Sequence, residues 1–82
     1  MESDTALVER LAGNDVDAFG DLVRRYQHRL FAFALGMTGD AGDAEEVAQD
    51  AFLRAHRALA RYEPERIREL RLSAWLHRIA LN

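Results

Sequence analysis

The chain has 82 residues, of which 49% are hydrophobic and 30% are charged, and its formal net charge is -3. This length and composition predict one small globular domain and exclude a long disordered chain. The lack of cysteine excludes disulfides and thiolate metal sites, and the lack of a signal peptide or of an apolar run of ~18 residues predicts a cytoplasmic protein without membrane insertion.

Two helices are predicted in the first half of the chain. The first runs from about Asp4 to Ala12, with Ser3 or Asp4 as its cap. The second runs from about Val16 to Gly36, where apolar residues recur every three or four positions and form a broad stripe. This stripe, which includes Tyr26, is predicted to face the core.

The third predicted helix begins in the stretch TGDAGDAEEV and runs to about Ala60. Asp43, with Glu46 three residues later, fits a capping box. The inner face of this helix is mostly alanine. Its outer face groups residues at three- and four-residue steps: Glu46, Gln49, Asp50, Leu53 and Arg57. A leucine ringed by polar residues is typical of a partner surface, although a single exposed leucine is also ordinary in a monomer.

A proline and the stretch RLSAWLHRIALN define the end of the chain. Pro64 is predicted to end the third helix at or before Glu63. The residues from Glu65 to Leu70 fit either a short helical turn or a basic loop. The last helix is expected to begin near Ser73 as its cap, with Trp75 as the largest apolar side chain of its inward stripe.

Charge is distributed unevenly along the chain. Residues 1–50 contain eleven acids and four arginines, whereas residues 51–82 contain seven arginines and three acids. The two parts therefore carry net charges of -7 and +4. Such polarity suggests two partners of opposite character, one of them a polyanion. A chance distribution of charges over solvated helix faces explains the same numbers, so charge alone leaves both interpretations open.

Catalytic and metal-binding patterns are missing from the sequence. His28, His56 and His77 fall on three different predicted helices. No Glu-x-x-His, His-Glu-x-x-His, P-loop or Gly-x-Gly-x-x-Gly pattern occurs. We therefore predict no catalytic residue, metal site or cofactor, and we do not expect an enzyme.

Three segments together resemble a known family. DAFGDLVRRYQHRLFAFA, GDAGDAEEVAQDAFLRAHRALARY and SAWLHRIALN are similar to region 2 of bacterial extracytoplasmic-function (ECF) sigma factors. The resemblance covers about Asp15 to Asn82, and the combination of the last two segments is specific. It implies an all-α fold, a compact bundle of about four helices, in a transcription initiation factor.

The resemblance implies two partners for this bundle. The first is core RNA polymerase, whose largest-subunit clamp helices would contact the helix from Asp43 to Ala60 through Glu46, Gln49, Asp50, Leu53 and Arg57. This favours the partner-surface interpretation of Leu53. The second is promoter DNA, whose minus-ten element the domain would recognise as a single strand and help to melt. An anti-sigma factor is a further partner that the family implies.

The implied reader of the minus-ten element is the loop after the third helix together with the last helix. Tyr62 would stack on or border an extruded base, and the Asn82 amide would read a base edge. The arginines of this region would contact phosphates. The complete predicted set is Arg61, Tyr62, Arg66, Arg68, Arg71, His77, Arg78 and Asn82.

Two features depart from the family pattern. The loop from Tyr62 to Trp75 is a few residues longer, in the segment where this group sets base specificity, so the sequence predicts no particular base. The family also adds a linker and a second helix-turn-helix domain, so the chain is expected to be a fragment cut inside or just after its last helix.

A second hypothesis about the function stays open: the chain is a helical adaptor or regulator-binding module that binds only proteins.

Overall fold

Four long helices and one short helix make up the fold. The computed structural model describes residues 1–82 and contains α1 (Asp4–Ala12), α2 (Ala18–Thr38), α3 (Ala41–Arg61), α4 (Pro64–Arg68) and α5 (Leu72–Leu81). No strand is present, so the predicted all-α fold class is confirmed. Of the two alternatives for the segment after Pro64, the helical turn is the one that forms. No helix is both long and apolar enough to cross a membrane.

Only Gly39 and Asp40 separate α2 from α3. Gly39 adopts the left-handed conformation, with φ 71°, and its N–H donates to the Leu35 carbonyl, which ends α2. Asp40 is extended, and its carboxylate accepts a hydrogen bond of 2.8 Å from the Asp43 N–H. The predicted cap at Asp43 is therefore wrong. The left-handed conformation of Gly39 turns the chain, and α3 begins only two residues later at Ala41. The cap position therefore falls on Asp40.

The predicted cap of the last helix is also wrong. α5 begins at Leu72 with Arg71 as its N-cap, and Arg71 makes no capping hydrogen bond through its side chain. Ser73 lies inside the first turn, where its carbonyl oxygen is 2.6 Å from Nδ1 of His77. Leu72 is almost fully buried. Burial of this side chain favours a helix that begins two residues earlier than a Ser73 cap would allow.

Substitution by alanine at two glycines near the end of α2 should change the stability of the protein in opposite directions. Gly36 is helical and an added methyl group would meet open space, whereas Gly39 has positive φ. We expect Gly36→Ala to raise the free energy of unfolding by about 0.5–1 kcal/mol and Gly39→Ala to lower it by about 1 kcal/mol. Urea unfolding followed by the fluorescence of Trp75 measures both. Equal effects of the two substitutions would contradict the assigned backbone conformations.

The core lies where α2 and α3 fold back against each other and α5 packs across them. α2 contributes large side chains, including Leu22, Tyr26 and Leu30, whereas α3 contributes mainly alanines. The inner face of α3 is thus mostly alanine, as the sequence predicted. Trp75 of α5 is 8% exposed and Tyr26 is 1% exposed. Their predicted core positions are confirmed.

A polar cluster fastens α1 to α2. The Arg10 guanidinium lies within 3.0 Å of carboxylate oxygens of Glu2, Asp15 and Asp21. The buried ring of Tyr26 reaches the edge of this region, where its hydroxyl donates to the Asp4 carboxylate. Burial raises the pKa of the Asp4 carboxyl, but hydrogen bonds from Tyr26 and Arg25 outweigh burial and hold that pKa below its usual value. The hydrogen bond from Arg10 lowers the pKa of Asp15 in the same way.

Acid should destabilise the fold through these carboxylates. A lowered folded-state pKa stabilises the protein fully above the unfolded pKa of about 3.9, and the stabilisation is lost as pH falls through the folded pKa. We therefore expect the urea midpoint to fall between pH 5 and pH 3, and Asp4→Asn to reduce that fall. Asp17→Asn is the control, because Asp17 makes no ion pair. If Asp4→Asn and the parent chain lost stability equally with acid, the Asp4 contacts would not stabilise the fold.

α4 docks on α1. Ile67 is 5% exposed and joins the hydrophobic core. Beside it, Nε of Arg68 lies 3.1 Å from a carboxylate oxygen of Glu9, and the same guanidinium also pairs with Glu65. The hydrogen bond to Glu9 raises the pKa of the Arg68 guanidinium. The segment between α3 and α5 is thus a short anchored helix and not an open loop.

Candidate nucleic-acid and protein interfaces

An open depression lies where the carboxyl-terminal half of α3 meets the end of α5. Its volume is about 370 Å³, within the range of small-molecule sites. We call it the α3–α5 depression, and its lining residues are Arg54, Arg57, Ala58, Arg61, Tyr62, Ile79 and Asn82. It brings together three residues of the predicted DNA-binding set, Arg61, Tyr62 and Asn82.

Tyr62 forms one wall of the α3–α5 depression. It follows α3 as the C-cap in an extended conformation, and its N–H donates to the Ala58 carbonyl. Its ring centroid is 6.2 Å from that of Trp75, with the planes inclined at 54°. The guanidinium carbon of Arg66, an exposed residue, lies 4.3 Å from the Tyr62 ring centroid. The ring is half-buried, so it has both a fixed support and an accessible part.

Charge at the depression is positive and largely unpaired. Arg57 and Arg61 are exposed and neither makes an ion pair, whereas Arg54 pairs with Asp50 at 2.8 Å. Arg78 is also exposed and unpaired, and it precedes Asn82 by one turn of α5. Two free guanidinium groups, of Arg57 and Arg61, therefore line a site that contains an aromatic ring and an exposed amide, and Arg78 lies one helical turn from that amide.

The remaining predicted DNA-binding residues lie elsewhere or make other contacts. Arg68 and Arg71 line a separate groove between α1 and the start of α5. His77 is half-buried, and its ring packs edge-on against Phe33 at 4.7 Å between centroids. Arg66 lies over Tyr62, as described. The structure thus groups Arg61, Tyr62 and Asn82, with Arg78 beside them, and does not bring Arg68, Arg71 or His77 to the depression.

The outer face of α3 is a second surface. All five residues predicted to contact a protein partner are exposed: Glu46, Gln49, Asp50, Leu53 and Arg57. We call this set the outer α3 face. Leu53 is 57% exposed and lies between the acids of the first half of the helix and the arginines of the second half. Arg57 belongs both to this face and to the lining of the depression, so the two surfaces adjoin.

Sequence reasoning missed three residues of the depression. Arg54, Ala58 and Ile79 line it but were not predicted. For the α3 members a signal was present, because positions 54, 57, 58 and 61 recur at three- and four-residue steps and share one side of a helix. For Ile79, periodicity indicated only a core-facing position.

Comparisons with known proteins point to one family. The family model described as sigma-70 region 2 matches residues 22–82. The RNA polymerase sigma-H factor of Pseudomonas aeruginosa is 40% identical over 82 residues, which are 100% of this chain and 40% of that protein. The ECF RNA polymerase sigma-E factor of Escherichia coli K12 is 39% identical over 80 residues, which are 98% of this chain and 39% of that protein.

A third relative gives the same result. The ECF RNA polymerase sigma factor SigW of Bacillus subtilis is 33% identical over 75 residues, which are 92% of this chain and 38% of that protein. The chain thus spans about two fifths of the length of the curated relatives it matches. No solved structure matches the chain.

Proposed function

The chain belongs to the sigma-70 region 2 family, and from that premise we propose that it is a transcription initiation domain with two binding surfaces. One surface binds core RNA polymerase, and the other recognises the promoter minus-ten element as a single strand and helps to melt it. The observation that carries the proposal is the α3–α5 depression, which unites Arg61, Tyr62 and Asn82 directly beside the outer α3 face.

The chemistry of the depression suits one unpaired base. Every base has a π-face, and stacking on an aromatic side chain stabilises a complex by ~1–3 kcal/mol per base. Tyr62 supplies such a ring. The Asn82 amide both donates and accepts hydrogen bonds, so it can distinguish base edges. Because a paired base is stacked within the duplex, a site of this kind favours DNA that is already open, which is how binding assists melting.

The phosphates on either side of that base have arginine partners nearby. Arg57, Arg61 and Arg78 have no carboxylate partner that must be displaced. Their contacts would be strong at low salt and independent of sequence. The DNA contacts of Arg68, Arg71 and His77 stay predictions, since these residues lie outside the depression.

The outer α3 face suits a basic helical partner. Its acids would attract basic side chains, and Leu53 would supply the apolar anchor at the centre. We propose that this partner is the pair of clamp helices in the largest subunit of core RNA polymerase. Because Arg57 adjoins both surfaces, polymerase and the single strand would lie side by side. An anti-sigma factor that covered either surface would block initiation.

Binding to single-stranded oligonucleotides tests this function. A set in which each position of a minus-ten-like element is varied should show one position of marked base preference, and the matching duplexes should bind more weakly. If the domain bound a clamp-helix fragment but no single strand at any salt concentration, the protein-only adaptor would be the correct interpretation. Uniform affinity for all strands and duplexes would exclude base recognition in the depression.

A further inference from the structure

We propose that Arg66 is a positioning residue that holds the Tyr62 ring in place as the wall of the α3–α5 depression. The sequence predicted Arg66 as a phosphate contact. The geometry points instead to an indirect effect on base discrimination through Tyr62. This inference rests on the proposed function, because it assigns Arg66 a part in the recognition of the unpaired base.

Tyr62 needs a restraint because it lines two open spaces. One is the α3–α5 depression, and the other is a groove of about 570 Å³. The groove is formed by the turn between α1 and α2, the end of α3 and the start of α4, with Val16, Phe19 and Ile67 among its apolar residues. A half-buried ring that borders open space can rotate between rotamers. Rotation into the groove would remove the stacking wall from the depression.

Two contacts fix the ring. Trp75 supports it from the core side, at 6.2 Å between ring centroids, and Trp75 is itself 8% exposed. Arg66, which is exposed, contacts the ring at 4.3 Å from the guanidinium carbon to the ring centroid. A guanidinium at that distance is attracted to the negative face of an aromatic ring.

α4 keeps Arg66 in position. Burial of Ile67 and the ion pairs of Arg68 with Glu9 and Glu65 anchor the residues that follow Arg66. Arg66 makes no ion pair of its own, so no carboxylate draws its guanidinium away from the ring. The additional residues between α3 and α5 thus form a rigid support for Tyr62. Base specificity would then depend on how α4 docks on α1, at some distance from the base itself.

The dependence of affinity on salt distinguishes positioning from phosphate contact. A lost phosphate contact lowers the slope of log affinity against log salt by about 0.7 for a single strand. A lost positioning contact leaves the slope unchanged and reduces discrimination between bases at the position read in the depression. Loss of one exposed cation–π contact should change the ratio of affinities for two bases by about two- to fivefold.

Arg66→Ala, Arg66→Lys and the parent chain are compared on the single-stranded oligonucleotides described above. Arg29→Ala is the control, because Arg29 is exposed and its guanidinium carbon lies 4.3 Å from the ring centroid of Tyr26, a tyrosine outside the depression. At the nucleotide position read in the depression, we expect Arg66→Ala to reduce the ratio of affinities for the preferred base and the other bases by about two- to fivefold. The slope of log affinity against log salt should stay unchanged. Arg66→Lys should recover most of that loss, because an ammonium group also binds an aromatic face. Trp75 is the only tryptophan, so its emission should change in free Arg66→Ala and not in Arg29→Ala.

Two results would overturn the inference while leaving the proposed function intact. One is a salt slope that falls by about 0.7 in Arg66→Ala, which identifies a phosphate contact. The other is single-strand binding by the parent chain with unchanged discrimination in Arg66→Ala. Absence of single-strand binding by the parent chain would overturn the proposed function, and this inference with it.

Discussion

Replacement of Leu53 by aspartate is expected to weaken binding of the domain to a clamp-helix fragment by about 30-fold or more. Leu53 is 57% exposed and is the one large apolar side chain on the outer α3 face. Apolar anchors at the centre of an interface typically contribute at least ~2 kcal/mol, which corresponds to that factor. A new negative charge would also have to be buried against the partner. The loss should appear mainly as faster dissociation.

The fold should not respond to this change. Surface substitutions of this kind usually alter the free energy of unfolding by less than ~0.5 kcal/mol. Val16→Asp is the matched control, because Val16 is 90% exposed and lies in the turn between α1 and α2, away from the outer α3 face. Asp50→Arg, which reverses a charge next to Leu53, should also weaken binding. Equal affinity of Leu53→Asp and the parent chain would remove the outer α3 face from the account.

Replacement of Asn82 by alanine is expected to reduce affinity for the preferred single strand by about tenfold. A side-chain amide that reads a base edge typically contributes ~1–3 kcal/mol to discrimination against the wrong base. The loss should be confined to one nucleotide position, because Asn82 lines only one side of the α3–α5 depression. The salt slope should be unchanged, since an amide carries no charge and releases no counterion.

Gln27→Ala is the matched control for Asn82→Ala. Gln27 is an exposed amide on α2 and lines a groove between α2 and α3 that has no residue in common with the depression. Its removal should leave single-strand affinity unchanged at every position. If Asn82→Ala lowered affinity equally for all sequences, Asn82 would contribute to the shape of the site and not to base reading.

Periodicity predicted the long helices and most of the core, and it failed where contacts are distant in sequence. The four-residue spacing of Leu22, Tyr26 and Leu30 places them on one helix face, and the structure buries all three. α4 could not be assigned as helix or loop from sequence. Its stability depends on Ile67 and on the pairing of Arg68 with Glu9, which is 59 residues away along the chain.

The same limit applies to the two surfaces. The outer α3 face lies on one helix, so its spacing alone predicted that its members would share a side. The α3–α5 depression combines two helices that are joined through α4, and local spacing does not report how α5 crosses α3. For this reason the sequence predicted DNA contacts for Arg68 and His77 as well. In the folded chain Arg68 pairs with Glu9, and the His77 ring packs against Phe33.

An NMR titration of the domain with its preferred single strand tests the central claim most directly. The account predicts that the largest shifts occur at the side-chain amide of Asn82 and in residues 54–62 and 78–82. The side-chain amide of Gln49, on the outer α3 face, should stay unshifted until a clamp-helix fragment is added. The assignment of the two surfaces would be contradicted if, at saturation with the single strand, the Asn82 signal stayed unshifted and the largest shifts occurred at Gln49 or in α1.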